Sequence, residues 1–427
     1  MTDGPGPLIV EYGDAIEELT MARQASPAGA ASFSATFVAP AGFAYDAAGS
    51  EGTSAFVSEL LSSGAGPLSR IPFARELDRL GGTLSVRDDA ESMEVTVWGP
   101  ESARERLLDL WALAIQSPRF ESSDIERVRR RILERQLREA IHPDSRAERE
   151  LFRVAFPRGH PYRETGNGRR ATVLRIKRRD LHRFHQEHFT GGGGLVIVTS
   201  RRPLAEIRRG IGRRFRSIAD RKAPPTPPMP RPGTTDRSVQ RIRMSGRSQV
   251  EIRMGGPSIA RSAPEFPAAF LANEVLGGRP LLSRLFQEVR ERHGLAYDAS
   301  SEFDAMRWGG VWQASAGTGP ERVEKVLPMI QAEVDRIRSE LVLSEQLDQI
   351  RESAIGEGPL QLETTGGAHE LAVDVVYHAL PGDFYLQWPA LLRAVSPAEM
   401  RRAAAIAFDP ATTATIIAGP LGKYFTD

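Results

Sequence analysis

The sequence predicts an α+β protein made of two tandem homologous domains, each a mainly antiparallel sheet packed with helices. Three observations lead to this prediction. A proline-rich segment divides the chain of 427 residues nearly in half. The two halves carry the same landmarks in the same order. Within each half, runs with the alternating pattern of half-buried strands are mixed with segments of helical periodicity.

The dividing segment covers residues 223–232 and reads APPTPPMPRP. So many prolines favour an extended polyproline II conformation, and they remove the backbone donors that a helix or a central strand needs. We therefore predict an N-terminal domain over residues 1–222, a linker over residues 223–235 and a C-terminal domain over residues 236–427.

Three landmarks recur in the two halves, and the separation between the two copies is nearly constant. They are Gly99-Pro100-Glu101 with Gly319-Pro320-Glu321, Ser123-Asp124 with Ser344-Glu345, and the helix ends Phe189 with Phe408. The first landmark follows a strand-like run and opens a helix. The second is typical of the N-cap and first turn of a long helix. The third precedes a β-rich run, so each half repeats the same series of elements.

The composition excludes several classes of protein. A net charge of +1 provides no general attraction to nucleic acid or to an anionic membrane. The chain has no cysteine, which excludes disulfides, thiol catalysis, zinc ribbons and iron–sulfur clusters. The N-terminus lacks the apolar core of a signal peptide, and no apolar run approaches the ~18 residues that a membrane span needs. We therefore expect a cytoplasmic protein without nucleic-acid or membrane partners.

Two stretches resemble the insulinase-like (pitrilysin, inverzincin) family of metallopeptidases. Residues 283–297, SRLFQEVRERHGLAY, resemble its second-domain signature, a helix and a glycine turn followed by a tyrosine at the start of a strand. Residues 52–82 resemble its first-domain segment, in which the zinc helix is followed by a loop and by a second helix ending in Gly-Gly. Because the tandem architecture also fits, the resemblance extends over most of the chain.

The resemblance implies that the zinc site is lost. In active members the zinc helix carries His-x-x-Glu-His, in which two histidines one turn apart hold the metal and the glutamate activates the bound water. Alignment through Gly52 places Ala55, Ser58 and Glu59 at these positions, and the distant third-ligand position falls at Ser145. Ala55 cannot hold a metal, Ser58 cannot act as a base, and Glu59 has lost its partner ligand. We expect no metal in this chain.

The second domain of the family contributes an arginine and a tyrosine to the zinc site, and the matching residues are Arg290 and Tyr297. A neutral phenol can donate a hydrogen bond to the carbonyl oxygen that gains negative charge during peptide hydrolysis. A guanidinium can hold a substrate carbonyl through its fork of donors. The alternative is that Arg290 is one of several surface arginines and Tyr297 a half-buried strand residue. The SRLF and GLAY sequences that flank the pair favour the functional interpretation.

A chain that loses the metal residues and keeps this pair resembles one subunit of the bacterial heterodimeric members. That resemblance implies a non-metal pseudo-peptidase subunit, inactive alone, with a homologous zinc-bearing partner and a peptide substrate. Two alternatives stay open: a structural or assembly protein, and a peptide-binding subunit that presents a precursor to another enzyme. The missing ligands argue against a third, an active zinc protease.

Three histidines on one predicted helix are a further candidate for a metal site. They are His182, His185 and His188 in RRDLHRFHQEHF. Their spacing of three residues spreads the side chains over adjoining faces. The neighbouring Phe184 and Phe189 favour a packed aromatic helix instead.

Overall fold

The computed structural model describes residues 10–12, 20–25, 31–231 and 239–420. Residues 232–235 of the predicted linker lie outside the described residues. The strands are β1 (Val10–Tyr12), β2 (Thr20–Ala25), β3 (Ser32–Ala39), β4 (Gly64–Ala65), β5 (Leu68–Ser69), β6 (Thr83–Asp88), β7 (Met93–Pro100), β8 (Leu195–Ser200), β9 (Val239–Arg243), β10 (Val250–Ser258), β11 (Ala296–Ala305), β12 (Gly310–Thr318) and β13 (Ala414–Gly419).

The helices follow the same doubled order. They are α1 (Thr53–Leu61), α2 (Arg70–Arg79), α3 (Arg104–Gln116), α4 (Ser122–Ile141), α5 (Pro143–Ala155), α6 (Arg170–Val173), α7 (Arg178–His188), α8 (Leu204–Ala219), α9 (Phe266–Asn273), α10 (Val323–Ser339), α11 (Ser344–Leu362), α12 (Thr365–Tyr377), α13 (Phe384–Ala394) and α14 (Pro397–Ala407). Two π-helical segments occur between α9 and β11, at Glu274–Gly278 and Phe286–Arg292.

The two large sheets share one topology, apart from the additional strand β1. The first has the strand order β1-β2-β8-β3-β7-β6, and the second has the order β9-β13-β10-β12-β11. One parallel pair occurs at the equivalent place in each sheet, β2 with β8 and β9 with β13, and the other described pairs are antiparallel. The predicted fold class, two tandem homologous α+β domains with mainly antiparallel sheets, is confirmed.

Two of the three repeated landmarks occupy equivalent positions in the structure, whereas Ser123 and Ser344 lie in the first turns of α4 and α11 and not at N-caps. The Gly-Pro-Glu sequences connect β7 to α3 and β12 to α10 through a single 3-10 turn. Phe189 caps the C-terminus of α7 before β8, and Phe408 caps that of α14 before β13. Both rings are fully buried. The phenylalanine that ends the helix therefore anchors the same helix-to-strand connection in both sheets.

The chain divides into two compact units that do not follow chain order throughout. Unit 1 comprises Met1–Gln136, Thr165–Pro227 and Glu357–Gln387, and unit 2 comprises Leu137–Glu164, Pro228–Gly356 and Trp388–Asp427. Each unit thus contains one complete helix from the opposite half of the chain, α12 in unit 1 and α5 in unit 2. These two helices have the same length, 13 residues, and follow equivalent long helices, α11 and α4. The predicted boundaries assigned each half to its own domain and did not include this exchange.

The proline-rich segment contains no helix or strand between residues 221 and 231. The boundary between the units falls inside it, after Pro227. The predicted linker boundaries at residues 222 and 236 stay a prediction.

Aromatic side chains form the centre of the core in both units. In unit 1 the ring of Phe37 stacks on those of Phe189 and Phe215, with centroids 6.2 and 5.6 Å apart. In unit 2 Trp312 packs against Phe408 at 5.1 Å. Rings of this size remove large apolar areas from water, and their stacking fixes the helices on the sheet. Within the part of the chain that the structure describes, no helix is both long and apolar enough to cross a membrane.

Candidate functional site

Helix α1 corresponds to the predicted degenerate zinc helix, and its start is fixed by Asp46. One carboxylate oxygen accepts a hydrogen bond from the backbone N–H of Gly52 at 2.6 Å, and the other accepts one from Ser54 at 2.8 Å. Gly52 has φ +99°, a conformation that suits glycine. Burial raises the pKa of Asp46 to about 7. The cap sets the phase of the helix and hence the direction of each side chain on it.

Ala55 and Ser58 lie buried on this helix, each 4% exposed. Ala55 belongs to the apolar core of unit 1. The hydroxyl of Ser58 donates to a carboxylate oxygen of Asp88 at 2.8 Å, and Asp88 is the last residue of the edge strand β6. Ser58, at the predicted position of the general base, therefore forms a hydrogen bond that ties α1 to a sheet edge.

Glu59 is paired with two arginines from α4. Its carboxylate lies 3.2 Å from Arg131 and also contacts Arg135 at close range. Two guanidinium groups neutralise this carboxylate and would repel a cation beside it, so these side chains do not fit a zinc ion. Across the described residues, no group of three or more histidine, aspartate or glutamate side chains could hold a metal.

The third-ligand position predicted at Ser145 stays a prediction. Ser145 is a half-buried residue in the first turn of α5, within unit 2, and its hydroxyl is 3.5 Å from Asp144. The side chains that contact Glu59 come from α4, and sequence reasoning missed them. Their spacing could have indicated a shared contact, because Arg131 and Arg135 are four residues apart and so lie on one helical face.

The chain around Arg290 turns sharply from helix to strand. Arg290 lies in the π-helical segment Phe286–Arg292. Gly294 follows with φ +60°, and its N–H donates to the carbonyl oxygen of Arg290 at 3.0 Å. A left-handed glycine with this bond is a common helix ending. It directs the chain immediately into β11, which begins two residues later.

Tyr297 is the extra residue of a β-bulge at the start of β11. Its neighbours Ala296 and Asp298 lie opposite the adjacent residues Thr318 and Gly317 of β12, so Tyr297 has no partner of its own in the ladder. A bulge breaks the alternation of side chains and re-aims the residue it carries. The equivalent edge strand of the other sheet, β6, pairs with β7 in continuous register.

The bulge and the glycine turn bring Tyr297 and Arg290 into contact. The guanidinium carbon of Arg290 lies 5.0 Å from the centre of the Tyr297 ring, within range of a cation–π interaction. Tyr297 is 78% exposed, in contrast to the half-buried strand residue of the alternative interpretation. Neither side chain makes a hydrogen bond or an ion pair with any described residue. Both sets of donors are therefore unused among the described residues.

A cavity of about 490 Å³ adjoins Tyr297 within unit 2, between β10, β11, β12 and the first turn of α5. Its lining includes the carboxylates of Asp144, Glu251 and Asp298 beside the guanidinium of Arg253. Burial raises the pKa of Glu251 to about 7, and repulsion by the two aspartates adds to the effect. The wall next to Tyr297 is thus polar, with an excess of carboxylates.

The three histidines of α7 are packing residues. His185 and His188 are buried, and each hydrogen-bonds a backbone carbonyl, of Ile115 at 2.6 Å and of Pro40 at 3.1 Å. Burial lowers the pKa of both to about 4. His182 packs its ring edge-on against Phe120. The expectation of an aromatic packed helix agrees with these contacts.

Comparisons with known proteins identify the family. The model of the insulinase family (peptidase family M16) matches residues 20–161, and the model of the peptidase M16 inactive domain matches residues 175–354. An uncharacterised zinc protease of Streptomyces coelicolor is 29% identical over 46% of this chain and 43% of its own length. Uncharacterised zinc proteases of Mycobacterium leprae and Mycobacterium tuberculosis are 26% and 27% identical, over 65% and 71% of this chain and 62% and 68% of their own lengths.

Solved structures share the fold. A peptidase M16 inactive domain from Pseudomonas fluorescens superimposes with a TM-score of 0.89 at 18% identity, over 96% of this chain and 98% of that one. A protease from Helicobacter pylori gives the same score and identity over 96% and 99%. The two family models together match most of the chain and show that it belongs to the insulinase-like family, peptidase family M16, as a member whose α1 lacks the His-x-x-Glu-His motif.

Proposed function

We propose that this chain is the non-metal subunit of a heteromeric insulinase-like zinc metallopeptidase of the cytoplasm. In this proposal the C-terminal domain donates Arg290 and Tyr297 to the zinc site of a homologous partner, and the complex hydrolyses peptides. The observation that carries the proposal is the exposed Arg290–Tyr297 stack, whose donors are unused within the described part of the chain. The metal chemistry would belong to the partner.

The two side chains would have different tasks. The Tyr297 phenol, aimed outward by the bulge, would donate to the carbonyl oxygen of the scissile peptide as negative charge develops there. Arg290 would hold a neighbouring substrate carbonyl through two of its donors. Neither group has to break an internal hydrogen bond first, so the cost of engaging the substrate is small.

The sheet edges offer a way to hold the peptide. β6 and β11 are the terminal strands of their sheets, and an extended peptide can add to such an edge through main-chain hydrogen bonds. This mode selects for extended backbone, with specificity left to side-chain pockets such as the cavity beside Tyr297.

A second candidate function is a subunit that binds or presents peptides and takes no part in the chemistry. The acidic cavity beside an open sheet edge favours it, because both features recognise a peptide without requiring catalysis. A purely structural subunit, which would not bind the peptide either, is the other form of this alternative. Both predict that Arg290 and Tyr297 have no effect on a chemical step.

The test is a mutant series in the reconstituted complex with the zinc-bearing homologue. Tyr297→Phe removes one hydroxyl, keeps the ring and should lower kcat by roughly 100- to 1000-fold, the scale for one oxyanion donor. Arg290→Ala should act mainly by raising KM. Arg292→Ala is the matched control, because this exposed arginine of the same segment pairs only with Glu288 among described residues.

Cleavage of a quenched fluorescent peptide gives the rates, and size-exclusion chromatography confirms that each complex is intact. Unchanged turnover for Tyr297→Phe in an intact complex would overturn the donated-residue mechanism and leave the peptide-binding or structural function.

A further inference from the structure

We propose that Phe286 is a positioning residue for Arg290 and Tyr297, an inference that rests on the proposed function. The guanidinium carbon of Arg290 lies 5.0 Å from the ring centre of Phe286 and 5.0 Å from that of Tyr297. The cation therefore contacts both aromatic rings. Phe286 is half-buried at the beginning of the π-helical segment, while Arg290 and Tyr297 are exposed. Phe286 is thus the member of the stack that is anchored in the unit.

The stack explains how two exposed side chains can hold a defined geometry. Tyr297 protrudes from a bulge, and neither it nor Arg290 makes a side-chain hydrogen bond or ion pair among the described residues. Arginine has many rotamers, and an exposed one without a partner samples them. Contact with Phe286 restricts the guanidinium, and the guanidinium in turn restricts the Tyr297 ring.

The spacing in sequence makes this possible. Phe286 and Arg290 are four residues apart, so their side chains share one face of the helical segment. Gly294 then reverses the chain, and the bulge at Tyr297 places its ring over that face. Catalysis depends strongly on such pre-set geometry, because a misplaced donor loses contact with the developing charge.

The perturbation that tests this inference is Phe286→Leu, which keeps an apolar side chain and removes the ring. A cation–π contact at an exposed site corresponds to roughly a two- to fivefold effect, so kcat/KM of the complex should fall by about that factor. Phe286→Tyr keeps an aromatic face and should retain the wild-type rate. Glu291→Ala is the control, an exposed change in the same segment outside the stack.

Repeating Phe286→Leu in an Arg290→Ala background separates positioning from packing. If Phe286 acts through the guanidinium, it has nothing to position in that background, and the leucine variant should cause no further loss. An equal loss in both backgrounds would assign Phe286 to helix packing and overturn the inference. Equal rates for wild type and Phe286→Leu would also overturn it.

A measurement on the isolated chain gives an independent readout. With 3-fluorotyrosine in place of Tyr297, the fluorine resonance should shift on Phe286→Leu and stay in place on Phe286→Tyr and Glu291→Ala. No shift would overturn the inference even if Tyr297→Phe slows the complex as the proposed function requires. If Tyr297→Phe leaves turnover unchanged, the proposed function is wrong, and Phe286 has no positioning role in it. The fluorine shift would then show only that the three side chains are in contact.

Discussion

Acid should weaken the attachment of α12 to the sheet of unit 1, because that attachment depends on a neutral histidine. His369 is fully enclosed, with Nε2 2.7 Å from the hydroxyl of Thr36 and Nδ1 2.9 Å from that of Thr199. Burial disfavours the imidazolium and lowers the pKa of His369 to about 3. The perturbation is His369→Gln, whose neutral amide can still hydrogen-bond to hydroxyls.

The magnitude follows from proton linkage. A histidine in the unfolded chain has a pKa of about 6.5, so it becomes protonated as the pH falls below that value. In the folded chain His369 stays neutral until about pH 3, so acid favours the unfolded state. The contribution to stability is therefore complete above pH 6.5 and is lost progressively between pH 6.5 and 3. At pH 4.5 the loss from this one group amounts to roughly 2 to 3 kcal/mol, because each unit of pH corresponds to ~1.4 kcal/mol.

Denaturant unfolding of wild type and His369→Gln at pH 7.5 and 4.5, followed by circular dichroism, measures this term. The other ionisable groups, such as Glu94 in the adjoining cavity of about 620 Å³, are the same in both proteins, so their contribution cancels in the difference. We expect the variant to lose about 2 to 3 kcal/mol less than wild type between the two pH values. An equal loss in both proteins would show that His369 takes up its proton in the folded state.

Three further predictions concern the degenerate zinc site. Metal analysis of the purified chain should find no stoichiometric zinc. One tightly held ion per chain would contradict the inference that the arginines paired with Glu59 exclude a metal. Restoring Ala55→His, Ser58→Glu and Glu59→His together should produce no peptidase activity, because a third ligand is missing and guanidinium groups face the site. Adding Arg135→Glu to these three changes should tighten zinc binding by roughly 10- to 100-fold in titrations with a competing chelator, because it replaces a guanidinium that contacts the site with a carboxylate.

The duplicated fold could be predicted from the sequence because its signals are local. The Gly-Pro-Glu sequences begin a helix after a strand by fixing backbone angles and removing a donor, and they do so wherever they occur. The helix-ending residues Phe189 and Phe408 act in the same local way. Repetition of such signals at constant spacing then indicates a repeated fold without any knowledge of long-range contacts.

The exchange of α5 and α12 between the units could not be predicted in the same way. The apolar face of a helix shows that it packs against something, but it does not identify the sheet. The ring of His369 illustrates this, since its two hydroxyl partners lie 333 and 170 residues away in the sequence. The bulge at Tyr297 was equally hidden, because it depends on how β11 aligns with β12.

The sequence could indicate which residues to examine at the candidate site, but it indicated only some of the contacts that these residues make. Ala55, Ser58 and Glu59 lie together on α1, as their spacing suggested, whereas the contact between Arg290 and Tyr297 was not predicted. The partners of Glu59 were missed, because an alignment of ligand positions does not indicate which charges replace a lost metal. Burial of a carboxylate requires a compensating group, and here two arginines of α4 provide it.

The contrast between the two sites is the strongest physical argument for the proposed function. At the degenerate zinc helix, Ser58 and Glu59 have partners within unit 1, Ser58 a hydrogen bond to Asp88 and Glu59 ion pairs with two arginines. Such pairing stabilises the fold and occupies these side chains. At the Arg290–Tyr297 stack the opposite holds, since a bulge interrupts a strand ladder to expose a phenol whose hydroxyl makes no hydrogen bond within the described chain. A bulge and an exposed ring bring little to stability, so their arrangement is best understood as serving a group on another molecule.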